Sequence, residues 1–482
     1  MLPNLDTPIE VQDHGIAKLR AHPVCRAIDR FLRSPAYFPV VGIMTVASVA
    51  WSLELVLYTC FILIGLFVTL LGKDLLPLTP LAVLSYISPS LKNNPGANGD
   101  SVFSGGSGVY ILVIAGLFAV SLVVRLCTDP KIGQRAFLTC KRSLMTGMLV
   151  LGIAYMLAGA FTKYYTANGW RNALFGFMQF ASVFLFYYLF TGGIQWDEVP
   201  KNYLAWSGVC IGGVILGQIL HIYILNDVIE GGRIMRERIY SGWGTCNNVG
   251  AMLAVTIPFV FQMANNSKRT WIYEIVALIF LGGVILTLSR ASILGAVGIY
   301  VICYGVLFHR KRISRTGWVI RLGIVAAALL AAFLLLYEQI QHFFAALIAR
   351  GWSSDDRMEI YVEGIKQFLR MPVFGGSFFP TEYVPFQFSS QAAFSGIFPP
   401  RWHNTVVQLL ASCGIVGLAA YGFHRYQTVK MILRKPVGDK VFIALSILVL
   451  LGTSMLDCHI FNVGPTLLYS IALAFAEKAV RT

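Results

Sequence analysis

The sequence predicts an all-α polytopic membrane protein, and three observations carry that reading. Apolar runs near 20 residues recur along the chain, each long enough to cross a bilayer core as a helix rising about 1.5 Å per residue. Hydrophobic residues make up 56% of the 482 and charged residues only 13%, where a soluble domain carries about a quarter. The basic residues collect in the polar intervals between the runs, which is how polytopic proteins set their orientation.

Residues 1–37 are polar and basic (Lys18, Arg20, Arg26, Arg30, Arg33) and lack an apolar core followed by a small-residue cleavage site. They read as a cytoplasmic segment ahead of an uncleaved first span. From Phe38 to Gly72 the chain is almost continuously apolar, too long for one upright helix. It forms either one tilted helix or two short ones turning near Trp51 to Glu54, with Leu75 to Ile87 then a third short span. Further spans fall at 108–126, 144–162, 174–191, 203–225, 249–264, 271–288, 291–308, 318–337, 404–423, 441–456 and 463–477. The expectation is about 12 to 14 transmembrane helices.

Charge checks the parity of this arrangement. The intervals Arg125 to Arg142, His309 to Arg321 and His424 to Lys440 are densely basic, and even numbers of spans separate them. All three therefore fall on the cytoplasmic side, with Lys478 and Arg481. The loop 226–248, the junction Ser289-Arg290, the loop 338–403 and the turn from Asp457 to Asn462 fall outside. Four regions result: 1–37 cytoplasmic, 38–337 transmembrane, 338–403 a large extracytoplasmic loop, and 404–482 the C-terminal helices.

The net charge of +15 belongs to this topology signal and gives no reason to expect nucleic acid. The nine cysteines are scattered and form no CxxC pair or ligand cluster, so they read as small buried apolar residues. With no Asp-x-Asp or histidine cluster, neither a metal nor another cofactor is expected.

The longest polar interval carries the candidate chemistry. Asp356-Arg357 opens it ahead of Ile360, Ile365 and Phe368, which give a helix a partly apolar face for the membrane surface. Pro372-Val373-Phe374-Gly375-Gly376 breaks that helix in a turn, and an aromatic-rich stretch with Phe379 and Tyr383 runs on to Pro400. Those aromatics suit either sugar stacking or an interfacial belt. Arg401-Trp402-His403-Asn404 leads straight into an apolar span. His403 there is a hydrogen-bonding residue or a base for a hydroxyl. Arg290 joins two spans on the same face, where it either snorkels to headgroups or binds an anion. Guanidinium forks suit pyrophosphate oxygens.

Asp356-Arg357, Met371-Pro372-Val373-Phe374-Gly375-Gly376, His403-Asn404-Thr405-Val406-Val407-Gln408-Leu409-Leu410 and Gly414-Ile415-Val416-Gly417 together resemble the core of the O-antigen ligase and Wzy-type polymerase superfamily. Thr287-Leu288-Ser289-Arg290 resembles its upstream Ser-Arg element, and Asn247-Asn248 a looser asparagine-rich feature. One departure is Gly375-Gly376-Ser377, where the family more often has Gly-x-Gly.

The resemblance implies a metal-independent membrane glycosyltransferase of the GT-C type in the plasma (inner) membrane. It would move a glycan from an undecaprenyl-diphosphate carrier to a glycan or lipid-glycan acceptor hydroxyl at the extracytoplasmic face. Arg290 and Arg357 would hold the diphosphate, His403 would orient or deprotonate the acceptor, and Asn404 would fix the loop-to-helix junction. Arg233, Arg236, Arg238 and Arg401 are further candidates for substrate binding. A lipid-linked oligosaccharide flippase or transporter is the alternative. It would line several spans with charge, whereas the ionisable groups here gather at one face.

Overall fold

The computed structural model describes residues 14–87, 106–129, 144–162, 169–225, 244–314, 355–379, 401–434 and 438–481, with shorter pieces at 132, 228–230, 233–234, 238–241, 316–317, 319–321, 323 and 341. Within these the chain is a helical bundle. Six helices are long and apolar enough to cross a membrane unaided: α8 (Gly169–Gly193), α9 (Tyr203–Leu225), α10 (Cys246–Asn266), α12 (Arg290–His309), α14 (Thr405–Leu433) and α15 (Lys440–Asp457). They make the chain a multi-pass membrane protein.

The count is lower than the 12 to 14 expected because several apolar runs fold as shorter helices. These include α4 (Glu54–Leu70), α7 (Met145–Met156) and α11 (Thr270–Leu286). The expected span 318–337 lies largely outside the described residues. The ambiguous N-terminal run takes the two-helix solution: α3 (Tyr37–Ala50) ends at Trp51, and α4 starts at Glu54. α5 (Leu78–Ile87) follows, then α6 (Gly106–Thr128). Before α3, α1 (His14–Ala21) and α2 (Pro23–Leu32) precede a bend of 76° between α2 and α3.

α10 is the centre of the bundle. Every residue from Val249 to Asn265 is buried, and the helix packs on α9, α11, α12 and α15. Small residues permit the close approach: a Cβ on Gly250 would sit 2.6 Å from the Thr287 hydroxyl, and one on Gly208 would meet Phe259 at 2.3 Å. Such small-residue interfaces are how membrane helices pack without a hydrophobic driving force between them. Four cysteines (Cys246, Cys303, Cys413, Cys458) are buried in this core as expected, but Cys127 is exposed.

The helices place the basic intervals at one end. Arg125 donates to the carbonyls of Gly72 and Lys73, Arg310 to that of Gly438, and Asn266 to Asp439, so the ends of α6, α10 and α12 and the start of α15 share a face. At the opposite end lie the starts of α10, α12, α14 and α16 (Val463–Arg481), the ends of α11 and α15, and α13 (Asp355–Arg370). Two short hairpins, Ile229–Glu230 with Arg233–Ile234 and Tyr240–Ser241 with Gly244–Thr245, sit at this second end. Their buried Val228 and Ile239 pack on Val49, Ile222 and Cys246.

α14 is two helices joined at Gly414, whose φ of 64° and ψ of −159° lie outside any helical region. The turn Met371 to Ser377 repairs the break. The amides of Gly376 and Ser377 donate to the carbonyls of Ala411 and Ser412, and those of Ile415 and Val416 to the carbonyls of Pro372 and Val373. The backbones meet so closely that a Cβ at Gly375 or Gly414 would stand 2.4 Å from main-chain atoms. Both glycines have positive φ, a conformation open to them because they lack a Cβ.

Candidate active site

The second end carries a polar constellation built from five chain segments. Its hub is Asp457, the last residue of α15, whose side chain is only 10% exposed. His403 Nδ1 lies 2.7 Å from Asp457 Oδ1, and Asn247 Nδ2 donates to Asp457 Oδ2. A carboxylate only accepts, so His403 donates from Nδ1, and Nε2 is the ring nitrogen left for a second partner. The His403 side chain is 32% exposed, enough to meet a second molecule.

Two guanidiniums flank the same turn. Arg357 Nη1 donates to the Leu456 carbonyl at 3.2 Å, and Arg401 Nη1 to the Cys458 carbonyl at 3.5 Å. Asn404 Nδ2 donates to the Met455 carbonyl, while its Oδ1 accepts from the amides of Val406 and Val407. It is thus the N-cap of α14, a role asparagine fills by offering an oxygen to otherwise unpaired helix donors. This side chain fixes His403 at the helix mouth.

The strand of chain before α14 is seated by Trp402, which is 1% exposed and packs with Ile360 and Ala411. Gly364 opens the space: a Cβ there would reach the Trp402 ring at 2.9 Å and Val407 at 2.5 Å. Tyr361 donates its hydroxyl to the His403 carbonyl at 3.2 Å. Burial lifts the Tyr361 phenol above its ordinary value, and the Arg357 guanidinium opposes that rise.

α13, which carries Arg357 and Tyr361, has three sectors. Ile360, Gly364 and Gln367 face the bundle, Glu359, Glu363, Lys366 and Arg370 form a charged face, and Met358, Val362, Ile365 and Leu369 form an exposed apolar stripe. The spacing i, i+4, i+7, i+11 places that stripe on one side. A helix so divided fits a membrane surface, with one side in lipid and one in water. The expected apolar face included Ile360 and Phe368, but Ile360 turns into the bundle.

Arg290 is the first residue of α12 and half-buried. Its turn is coupled to the hub: Ser289 bonds Ser292, and Ser292 donates to the Asn247 carbonyl at 3.3 Å. Behind the hub, His459 Nδ1 donates to Asn248 Oδ1, which also accepts from Asn462. Burial pushes His459 down to about 4. Three non-glycine residues with left-handed backbone frame the constellation: Leu288 at φ 55°, His403 at 50° and Cys458 at 48°. Such conformations cost about 1–3 kcal/mol each and gather where a site is held in place by its surroundings.

The structure thus brings together His403, Arg357, Arg401 and Asn404, with the Arg290 turn one contact away. Arg233 lies in its two-residue strand and Arg238 is half-buried, while Arg236 falls outside the described residues. Phe379 is no sugar platform: it is 4% exposed, edge-on to Phe175, with its amide bonded to Asn172. Tyr383 and the later aromatics lie outside the described residues. Asp457 was missed because it reads as the end of an apolar span, 54 residues from His403. Its one sequence signal is a lone acid entering a short outer turn. Among the described residues no group of three His, Cys, Asp or Glu side chains is placed to hold a metal ion.

Comparison with curated proteins finds no match. The matching family model, described as O-antigen ligase, covers residues 275–422, which include Arg290, Arg357, His403 and Asn404 and stop before Asp457. Over residues 275–422 this multi-pass membrane protein is therefore similar to the O-antigen ligase family, a likeness that supports, at a coarse level, a glycosyl-transferring enzyme of polysaccharide assembly.

Proposed function

We propose that the protein transfers a glycan from an undecaprenyl-diphosphate carrier to an acceptor hydroxyl at the extracytoplasmic face of the plasma membrane, without a metal ion. The observation that carries this reading is the His403–Asp457 pair, with Arg357 and Arg401 bonded to the two carbonyls on either side of Asp457. Asp457 holds the imidazole in the Nδ1–H form, leaving Nε2 to accept the acceptor's hydroxyl proton as its oxygen bonds the anomeric carbon. The bond from that carbon to the diphosphate oxygen breaks, and the released charge is met by guanidinium forks. Arg357, Arg401 and Arg290 fill that role, with Asn404 keeping His403 in register.

The basic residues at the far end of the bundle support an extracytoplasmic position for the pair. Purified protein given a polyprenyl-diphosphate glycan donor and acceptor in EDTA tests the reading. Transfer is expected to survive chelation and to fall by about 10²–10⁴-fold in His403→Ala, the range for a lost general base, and to collapse in Arg357→Ala. Full transfer in both folded variants, or lipid scrambling in liposomes without transfer, defeats it.

A further inference from the structure

At the end of the bundle away from Asp457, an apolar groove of about 670 Å³ runs between α3 and α9, with Phe38, Gly42, Trp206, Cys210 and Gly213 in its walls. It starts at Pro35, where the chain leaves α2 and turns through 76° into α3. α2 marks a boundary there. Val24, Ile28 and Phe31, at i, i+4 and i+7, form an exposed apolar side, Arg26 and Arg30 are exposed on the other, and Asp29 and Leu32 hold the helix to the bundle. A helix of this pattern, lying across the direction of the first span, belongs in the headgroup layer. The groove therefore opens into the leaflet just beneath the membrane surface.

Its mouth is basic. Lys201 stands five residues before Trp206, Lys268 five after Met263 and Arg269 four before Tyr273, and all three of those partners line the groove. Asn266 draws the segments together by donating to Asn202 Oδ1. The three cations are exposed and make no ion pair among the described residues. The nearby acids are engaged: Asp439 accepts from Asn266, Asp74 holds Arg33, Glu198 holds Lys73 and Asp197 holds Lys478. An apolar slot below a cluster of free cations, at headgroup depth, is complementary to a lipid with an anionic head.

We propose that this groove is a specific site for an anionic phospholipid of the leaflet opposite the Asp457 site, with an acyl chain between α3 and α9 and the phosphate at Lys201, Lys268 and Arg269. On the sidedness proposed above, that leaflet is cytoplasmic, where anionic headgroups attract such cations. The inference does not depend on glycan transfer.

Native mass spectrometry of the purified full-length protein tests it, titrating phosphatidylglycerol and phosphatidylcholine of the same chains. Wild type should retain one phosphatidylglycerol with at least about a tenfold preference. Replacing Lys201, Lys268 and Arg269 together by Gln should erase the preference and leave phosphatidylcholine binding unchanged. Gly213→Phe should abolish retention of both lipids. Gly213 has no neighbouring heavy atom within 4 Å of its built Cβ, so the ring has room to enter the groove. Equal binding of the two lipids by wild type overturns the proposal. So does full retention in the folded Gly213→Phe protein, and so does displacement of phosphatidylglycerol by equimolar polyprenyl phosphate, which would give the groove to the carrier.

Discussion

His403 and Asp457 meet Nδ1 to Oδ1 across 2.7 Å, although one begins a helix and the other ends the next. The pairing fixes which imidazole nitrogen is free, and Asn247 on the other carboxylate oxygen fixes the carboxylate in turn. Asp457→Asn should place an amide N–H against Nδ1 and reverse the tautomer. We expect kcat for glycan transfer to fall by about 10²–10³-fold with KM little changed. An unchanged kcat in steady-state kinetics would remove Asp457 from the mechanism.

Ser377 occupies a left-handed conformation, φ 76°, at the position where the related pattern has its second glycine, and its buried hydroxyl has no partner among the described residues. Ser377→Gly should therefore raise stability by about 1 kcal/mol, since the left-handed region penalises a Cβ by roughly that amount. Gly414→Ala should do the opposite, because the added methyl meets the Val373 carbonyl oxygen at 2.4 Å. Thermal unfolding in detergent reads both.

The cap of α14 separates structure from chemistry. Asn404→Ala should lower stability by about 1 kcal/mol through loss of the two amide bonds, whereas Asn404→Asp keeps the accepting oxygen and most of the stability. Equal melting of the two variants would show that the cap contributes nothing.

The His459 ring is neutral in the folded protein down to about pH 4, whereas an unfolded histidine takes up its proton near 6.5. Unfolding between these values binds a proton, so this contribution to stability is complete above pH 6.5 and declines as pH falls towards 4. The melting temperature should drop through that window, and His459→Gln should flatten the drop. An identical pH profile in the variant would refute the assignment.

Much of this was legible in the sequence because apolar runs and loop charge are local signals. The shared end of the basic intervals and the grouping of Arg357 with His403 follow from them, whereas the apolar run from Phe38 to Gly72 allowed either one tilted helix or the two that turn at Trp51. The pairing of His403 with Asp457 and Asn247 was not, since each partner sits at a helix end that looks like ordinary span punctuation. Nor was the break at Gly414: its neighbours Cys413 and Ile415 continue an apolar helical pattern, and only the docked turn makes the break tolerable. Phe379 misled for a related reason, as aromatic composition does not distinguish a ring facing a ligand from one packed on Phe175.

The opened helix at Gly414 has a consequence for how the chain is made. Unpaired backbone groups are costly in lipid, so the segment from Thr405 onward cannot settle in the bilayer as a finished span by itself. The partners it needs, Pro372 to Ser377, leave the ribosome first and must be held nearby until α14 arrives. Biogenesis of the C-terminal helices is thereby tied to a segment made before them, and a chain lacking that segment should be recognised by quality-control proteases rather than accumulate.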